Sequence, residues 1–178
     1  MTRRLGIVLA GGGSTRFGSD KAEALLHGKR LIDHAADSLR PWCETVMLVG
    51  RRDPDFATLA DRPAPDMGPL GGLNAGLHFA SENGFDRVVS VGCDTPALPA
   101  DLLQRLCAAE RSTCLARTPI VGCWHVVLAA DLDTFLAEPC KHAVRAWIER
   151  VDVEAIDADA ILNINRREDL IAAEGAAS

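Results

Sequence analysis

The chain has 178 residues, 48% of them hydrophobic and 4% aromatic, with no tyrosine and a formal net charge of −6 at pH 7. That length suffices for one α/β domain with a sizeable core, and the hydrophobic content excludes a disordered chain. The acidic balance argues against nucleic acid as a partner, although nearby lysine or arginine still permits binding of a small anion.

Residues 5–10 predict a first strand, ending in the cluster Gly11-Gly12-Gly13. Leu31, Ile32, Ala35, Ala36 and Leu39 recur at helical spacing, and Pro41 stops the helix they predict. Val46–Val49 reads as a second strand, followed by a loop from Arg51 to Met67 that is rich in proline and aspartate. Pro69–Phe79 predicts a helix with Leu70, Leu73 and Leu77 on one face, while Gly71, Gly72 and Gly76 allow close approach to a sheet. Val88–Val91 is the third strand, and Pro99 opens a helix carrying Leu102, Leu103 and Leu106.

Beyond it, Thr113–Leu115 and Ile120–Leu128 read as strands, and Leu132–Leu136 and Ala143–Ile148 as helices. Val153–Ile156 and Ile161–Ile164 read as short strands, and residues 172–178 as a frayed tail. This alternation predicts a single domain over residues 1–178, a three-layer α/β/α fold with a Rossmann-like, mainly parallel sheet.

Cysteines at 43, 93, 107, 114, 123 and 140 form no C-x-x-C pair, so free thiols in a reducing, cytoplasmic compartment are expected. The apolar run behind Thr2-Arg3-Arg4 breaks at Gly11, unlike a secretory signal, and no stretch approaches the ~20 apolar residues of a membrane span. The five histidines lack ligand spacing, and Trp42, Trp124 and Trp147 read as packing residues.

Parallel sheets collect ligands beyond the carboxyl ends of their strands. The first such loop joins three glycines to Arg16 and Lys21, a combination that suits a polyphosphate: glycine lets backbone N–H groups approach an anion, and the cations add charge. It is neither a Walker A motif, since Gly18 is followed by Ser19-Asp20-Lys21, nor a dinucleotide fingerprint, since Arg16 stands where glycine or alanine is required. Asp94 directly follows the third strand, a position suited to holding Mg²⁺ beside phosphates. Asp61 and Asp66 are further carboxylates in the loop between the second strand and its helix.

Leu9 to Ala22 (LAGGGSTRFGSDKA) resembles the signature of nucleotidyltransferases of the molybdenum cofactor guanylyltransferase type. Gly68 to Leu73 (GPLGGL), Cys93 to Pro96 (CDTP), Asn163 to Asn165 (NIN) and Glu168 to Leu170 (EDL) match later motifs of that family, in order. Thr118-Pro119 stands where the family often has His-Pro, and Phe17 where methionine is commoner. The resemblance implies a nucleotidyltransferase-type fold and transfer of GMP from GTP to the terminal phosphate of molybdenum–molybdopterin, releasing pyrophosphate. It implies that Leu9, Ala10 and Gly11 cradle the base, and that Gly12 and Gly13 approach phosphates neutralised by Arg16 and Lys21. Asp94 would hold Mg²⁺, Asp61 (with Asp66 as rival) would serve the nucleotide, and Asn163 and Asn165 the cofactor side or the metal. Maturation proteins of molybdoenzymes are further expected partners. Two other readings stand beside this one: transfer of CMP or another nucleotide to molybdopterin or a sugar phosphate, and a non-catalytic nucleotide or pterin carrier.

Overall fold

The structure is a computed structural model, describing residues 2–11, 17, 20–139, 142–159 and 161–175. Strand β1 (Arg4–Leu9) follows the apolar run of the sequence and lies between two parallel neighbours, β4 (Thr45–Val49) and β6 (Arg87–Gly92). A small hairpin of β2 (Leu25–Leu26) and β3 (Lys29–Arg30) precedes α1 (Leu31–Leu39). The sequence order continues with β5 (Thr58–Leu59), α2 (Gly68–Glu82), α3 (Ala100–Ala108), β7 (Ser112–Leu115), β8 (Gly122–His125), α4 (Ala129–Leu136), α5 (Val144–Ile148), β9 (Val153–Ile156) and α6 (Arg167–Gly175). Seven strands form one sheet in the order β5-β4-β1-β6-β8-β7-β9.

Side chains of a strand alternate between faces, and β1 divides the core accordingly. Leu5 and Ile7 pack with Leu70, Leu73 and Leu77 of α2. Val8 packs on the opposite face with Ile32 and Ala35 of α1 and Leu103 and Leu106 of α3. Helices therefore cover both faces, and the near-continuous apolar strands are those of a buried parallel sheet. The antiparallel member is β8, which pairs with both β6 and β7. It reverses direction because the turn at 118–121, closed by the Val121 N–H on the Thr118 carbonyl at 2.9 Å, is too short for a crossover helix.

Trp124 and Trp147 are fully buried with ring centroids 5.5 Å apart, and Trp124 donates to Ser90 Oγ at 2.7 Å. Both indoles belong to the core. Cys107, Cys114 and Cys123 are buried thiols, while Cys43 and Cys93 are partly buried. Among the described residues no helix is long and apolar enough to cross a membrane.

Four local features differ from the sequence reading. The loop from Arg51 to Met67 contains β5, a two-residue edge strand parallel to β4. The predicted strand Ile120–Leu128 ends at His125, opposite Arg87 at the start of β6, and Val126–Leu128 turn into a 3₁₀ helix where sheet partners run out. Ile161–Ile164 form no strand; the Ile164 N–H is taken instead by the Asp94 carbonyl at 2.8 Å. Residues 172–175 continue helix α6 rather than fraying.

Candidate active site

The C-terminal ends of β1, β4 and β6 (Leu9, Val49 and Gly92) lie side by side in register. The Ala10 N–H donates to the Val49 carbonyl at 3.0 Å and the Cys93 N–H to the Leu9 carbonyl at 3.0 Å, extending the ladder into the loops that leave the strands. These ends and the first turn of α2 enclose a cleft of about 260 Å³. No side chain caps α2, and Gly68 and Pro69 of its first turn line the cleft, so the positive end of the helix dipole faces it.

The cleft owes its depth to glycines. Gly72 brings α2 onto the sheet so closely that a Cβ there would lie 2.6 Å from Leu9 Cδ2. Gly50 lets the chain turn after β4 with φ +86, and a Cβ on it would lie 2.6 Å from Gly11 Cα. A side chain at Gly50 meets both backbone strain and a backbone clash that no rotamer relieves. Gly50→Ala is therefore expected to destabilise the fold by about 3 kcal/mol. Urea unfolding checks this, with a lower midpoint and an unchanged slope.

Lys21 and Asp94 meet across the cleft, Nζ standing 3.7 Å from Oδ2, with side chains 13% and 34% exposed. Lys21 Nζ also donates to Asn165 Oδ1 at 3.4 Å. Asp20 begins the 3₁₀ turn Lys21–Glu23 by accepting the Ala22 N–H at 3.2 Å, which fixes the base of the Lys21 side chain. Asp94 is held through its main chain by Ile164 and through its side chain by Thr95, whose Oγ1 donates to Oδ1 at 3.4 Å. The Asp94 carboxylate folds over Gly92, where a Cβ would clash severely with Oδ1. The loop bearing Asn165 is fixed in turn by Asp169, whose carboxylate accepts the N–H groups of Asn165 and Arg166, each at 2.8 Å.

Of the residues singled out from the sequence, the structure gathers Leu9, Ala10, Gly11, Lys21, Asp61 and Asp94 around this one cleft, with Asn165 reaching Lys21. Asp61 stands on its wall, and burial, with Asp66 adding to it, pushes its carboxyl above the usual carboxylate range. Asp66 and Asp61 both line an adjoining cavity of about 360 Å³ beside Arg51 and Arg52. Asn163 is not brought to the cleft: it lines a separate cavity of about 170 Å³ with Leu115, Arg117 and Ile161, and its buried Oδ1 has no partner among the described residues. Gly12, Gly13 and Arg16 lie outside the described residues.

Three features have no counterpart in the sequence reading. Ile120 supplies an apolar wall from the β7–β8 turn, a contact made across the sheet that no local pattern signals. Cys93 lines the cleft, but burial and then the neighbouring Asp94 push its thiol up to about 11, so it is not a thiolate near neutrality. Arg51 is tied into an ion-pair cluster with Asp20 and Glu23.

The sheet is thus mainly parallel with one antiparallel strand, and the cleft at its carboxyl edge holds Lys21, Asp94 and close-packed glycines. Solved structures agree on the fold. A molybdopterin-guanine dinucleotide biosynthesis protein A from Archaeoglobus fulgidus superposes with a TM-score of 0.75 at 20% identity, covering 97% of this chain and 98% of that one. A CMP:2-keto-3-deoxy-manno-octonic acid synthetase gives 0.76 at 11% identity over 99% and 98% of the two chains.

The chain belongs to the MobA-like NTP transferase domain family, whose model matches residues 6–158. It is 35% identical over 189 residues to a molybdenum cofactor guanylyltransferase of Rhizobium leguminosarum bv. trifolii, covering 95% of this chain and 90% of the relative. A molybdenum cofactor guanylyltransferase of Cereibacter sphaeroides is 36% identical over 187 residues, with coverages of 97% and 96%.

Proposed function

We propose that this protein transfers GMP from GTP to the terminal phosphate of molybdenum–molybdopterin in a single active site at the carboxyl edge of the sheet. The observation that carries the reading is the convergence of Lys21, Asp94 and Asn165 beside the backbone of Leu9–Gly11 and the uncapped start of α2. The relatives' names supply the substrates. The physical chemistry of the site fits them. The attacking group is an already ionised phosphate oxygen, so the reaction needs no strong general base. A bond forms from that oxygen to the α-phosphorus of GTP, and the bond to the bridging oxygen of the leaving pyrophosphate breaks.

The obstacle is bringing two anions together and accommodating charge on the leaving group. Lys21 supplies a fixed cation at the cleft, and Arg16 and the glycines Gly12 and Gly13 belong to the same loop in sequence. Asp94 suits a Mg²⁺ site: a single carboxylate at a strand end, folded over a glycine that leaves room for it, is the sparse protein share such an ion takes beside substrate phosphates. When bound, the metal supplies charge neutralisation at the phosphates. Leu9, Ala10 and Gly11 offer backbone groups to the base, Asp61 an acceptor at the wall, and Asn165 an orienting contact to Lys21. Asn163 serves the pterin side from its own cavity. The whole chain acts as one domain, in the reducing cytoplasm, with molybdoenzyme maturation proteins receiving the product.

Thermal melting with GTP, CTP, ATP and UTP, with and without Mg²⁺, tests the reading. A ligand at 100 times its Kd adds about 2.7 kcal/mol, a shift of roughly 5–10 °C for a chain of this size. A Mg²⁺-dependent shift for GTP above the other nucleotides is the expected result. A larger shift with CTP would reassign the base, and none with any nucleotide would overturn the reading.

A further inference from the structure

We propose that Arg51 is a positioning residue for nucleotide binding: it neutralises Asp20 at the rim of the cleft and thereby keeps the Lys21 turn receptive to an anion. The inference rests on the reading of this cleft as a nucleotide site. Arg51 directly follows Gly50 at the end of β4, and its Nη1 donates to both carboxylate oxygens of Asp20, each at 2.8 Å. Its Nη2 donates to Glu23 Oε1 at 3.0 Å. The two carboxylates flank Lys21 at either end of one 3₁₀ turn, so a single guanidinium spans that turn. The arginine is lodged rather than solvated: its side chain is 23% exposed and its Nε is buried with no partner among the described residues.

The charges around the turn show why Asp20 depends on Arg51. Glu23 has a second cation, Arg30, 3.6 Å away, and Arg30 is itself held by Asp33, Asp53 and Asp55. Asp20, by contrast, lines the cleft. Without the guanidinium, its carboxylate would face an incoming triphosphate beside Lys21, and like charges at that range repel strongly. Asp20 cannot simply be dispensed with, because the same carboxylate caps the turn through the Ala22 N–H. The arrangement keeps the cap and cancels its charge. Arginine suits the task better than lysine, since a planar fork engages two carboxylates at once.

Titration calorimetry of the intact protein with GTP and Mg²⁺ tests this, each variant's melting temperature being recorded alongside. Arg51→Gln is expected to weaken GTP binding about tenfold, while Arg51→Lys, which keeps a charge, loses no more than about threefold. The deciding variant is Arg51→Gln combined with Asp20→Asn. The asparagine oxygen still caps Ala22 but carries no charge, so affinity is expected to return to within about threefold of the native protein. A role confined to packing would predict no such recovery. Native-like affinity in Arg51→Gln, or a double variant no tighter than the single one, would overturn the proposal. A native protein that binds none of the four nucleotides would instead overturn the reading of the cleft, and the role of Arg51 with it.

Discussion

Asp94→Ala is expected to abolish nucleotidyl transfer, with a loss on the order of 10³-fold or more, while leaving the fold intact. The two halves of that expectation come from different atoms of one residue. The loop is secured by the Asp94 main-chain carbonyl, which accepts the Ile164 N–H at 2.8 Å and is untouched by the substitution. The carboxylate contributes little to stability, being a third exposed and paired with Lys21 at 3.7 Å in an arrangement of the kind worth at most about 1 kcal/mol. What the substitution removes is the negative charge that would hold a divalent cation at the phosphates. A steady-state assay of pyrophosphate release, with urea unfolding of the same preparation, reads both halves. Full activity in the variant would remove Asp94 from the mechanism.

Lys21→Ala is expected to lower kcat by about 10²-fold, because it withdraws a fixed cation from a site whose chemistry is the approach of two anions. Its nitrogen also contacts Asp94 and Asn165, so its removal unlinks the strand-end carboxylate from the loop before α6. Melting is expected to change by only a few degrees, since the turn that carries Lys21 retains its Asp20 cap and the burial of Ala22. Pyrophosphate release under saturating nucleotide checks the loss. Turnover within about twofold of the native protein would show that the lysine charge is not used.

The central strands and the helices on them were legible because their signals are local. The apolar runs in β1, β4 and β6 and the helical spacing of Leu31, Ile32, Ala35, Ala36 and Leu39 each lie within one element. Where structure depends on a distant partner, the reading fell short. Thr58–Leu59 is strand only because β4 offers an edge, and Ile161–Ile164 forms no strand, its last N–H being taken by the Asp94 carbonyl. Val126–Leu128 carry strand-forming side chains but lie beyond the last residue of β6 able to pair with them.

The candidate site divides in the same way. Lys21 and Asp94 follow strand ends at motif positions and could be named, whereas the partners of Arg51 lie 31 and 28 residues away and leave no trace in its neighbourhood. Asn163 and Asn165 are two residues apart, which the alternation of an extended segment would place on one side, yet Asn163 lines a separate cavity while Asn165 reaches Lys21, a divergence that no local pattern signals.

The contact between Lys21 and Asn165 joins positions 144 residues apart. A ribosome making roughly 5–20 residues each second needs on the order of 7–30 s to cover that interval. Through that period the growing chain already contains the glycine loop, the lysine and, later, Asp94, but not the segment that ties them together. The nascent protein thus presents an unfinished pocket, and its grip on a nucleotide is expected to mature only when the segment before α6 docks. Competence for chemistry is therefore a late event in the life of the chain, set by the order of synthesis and separable in time from the collapse of the central sheet.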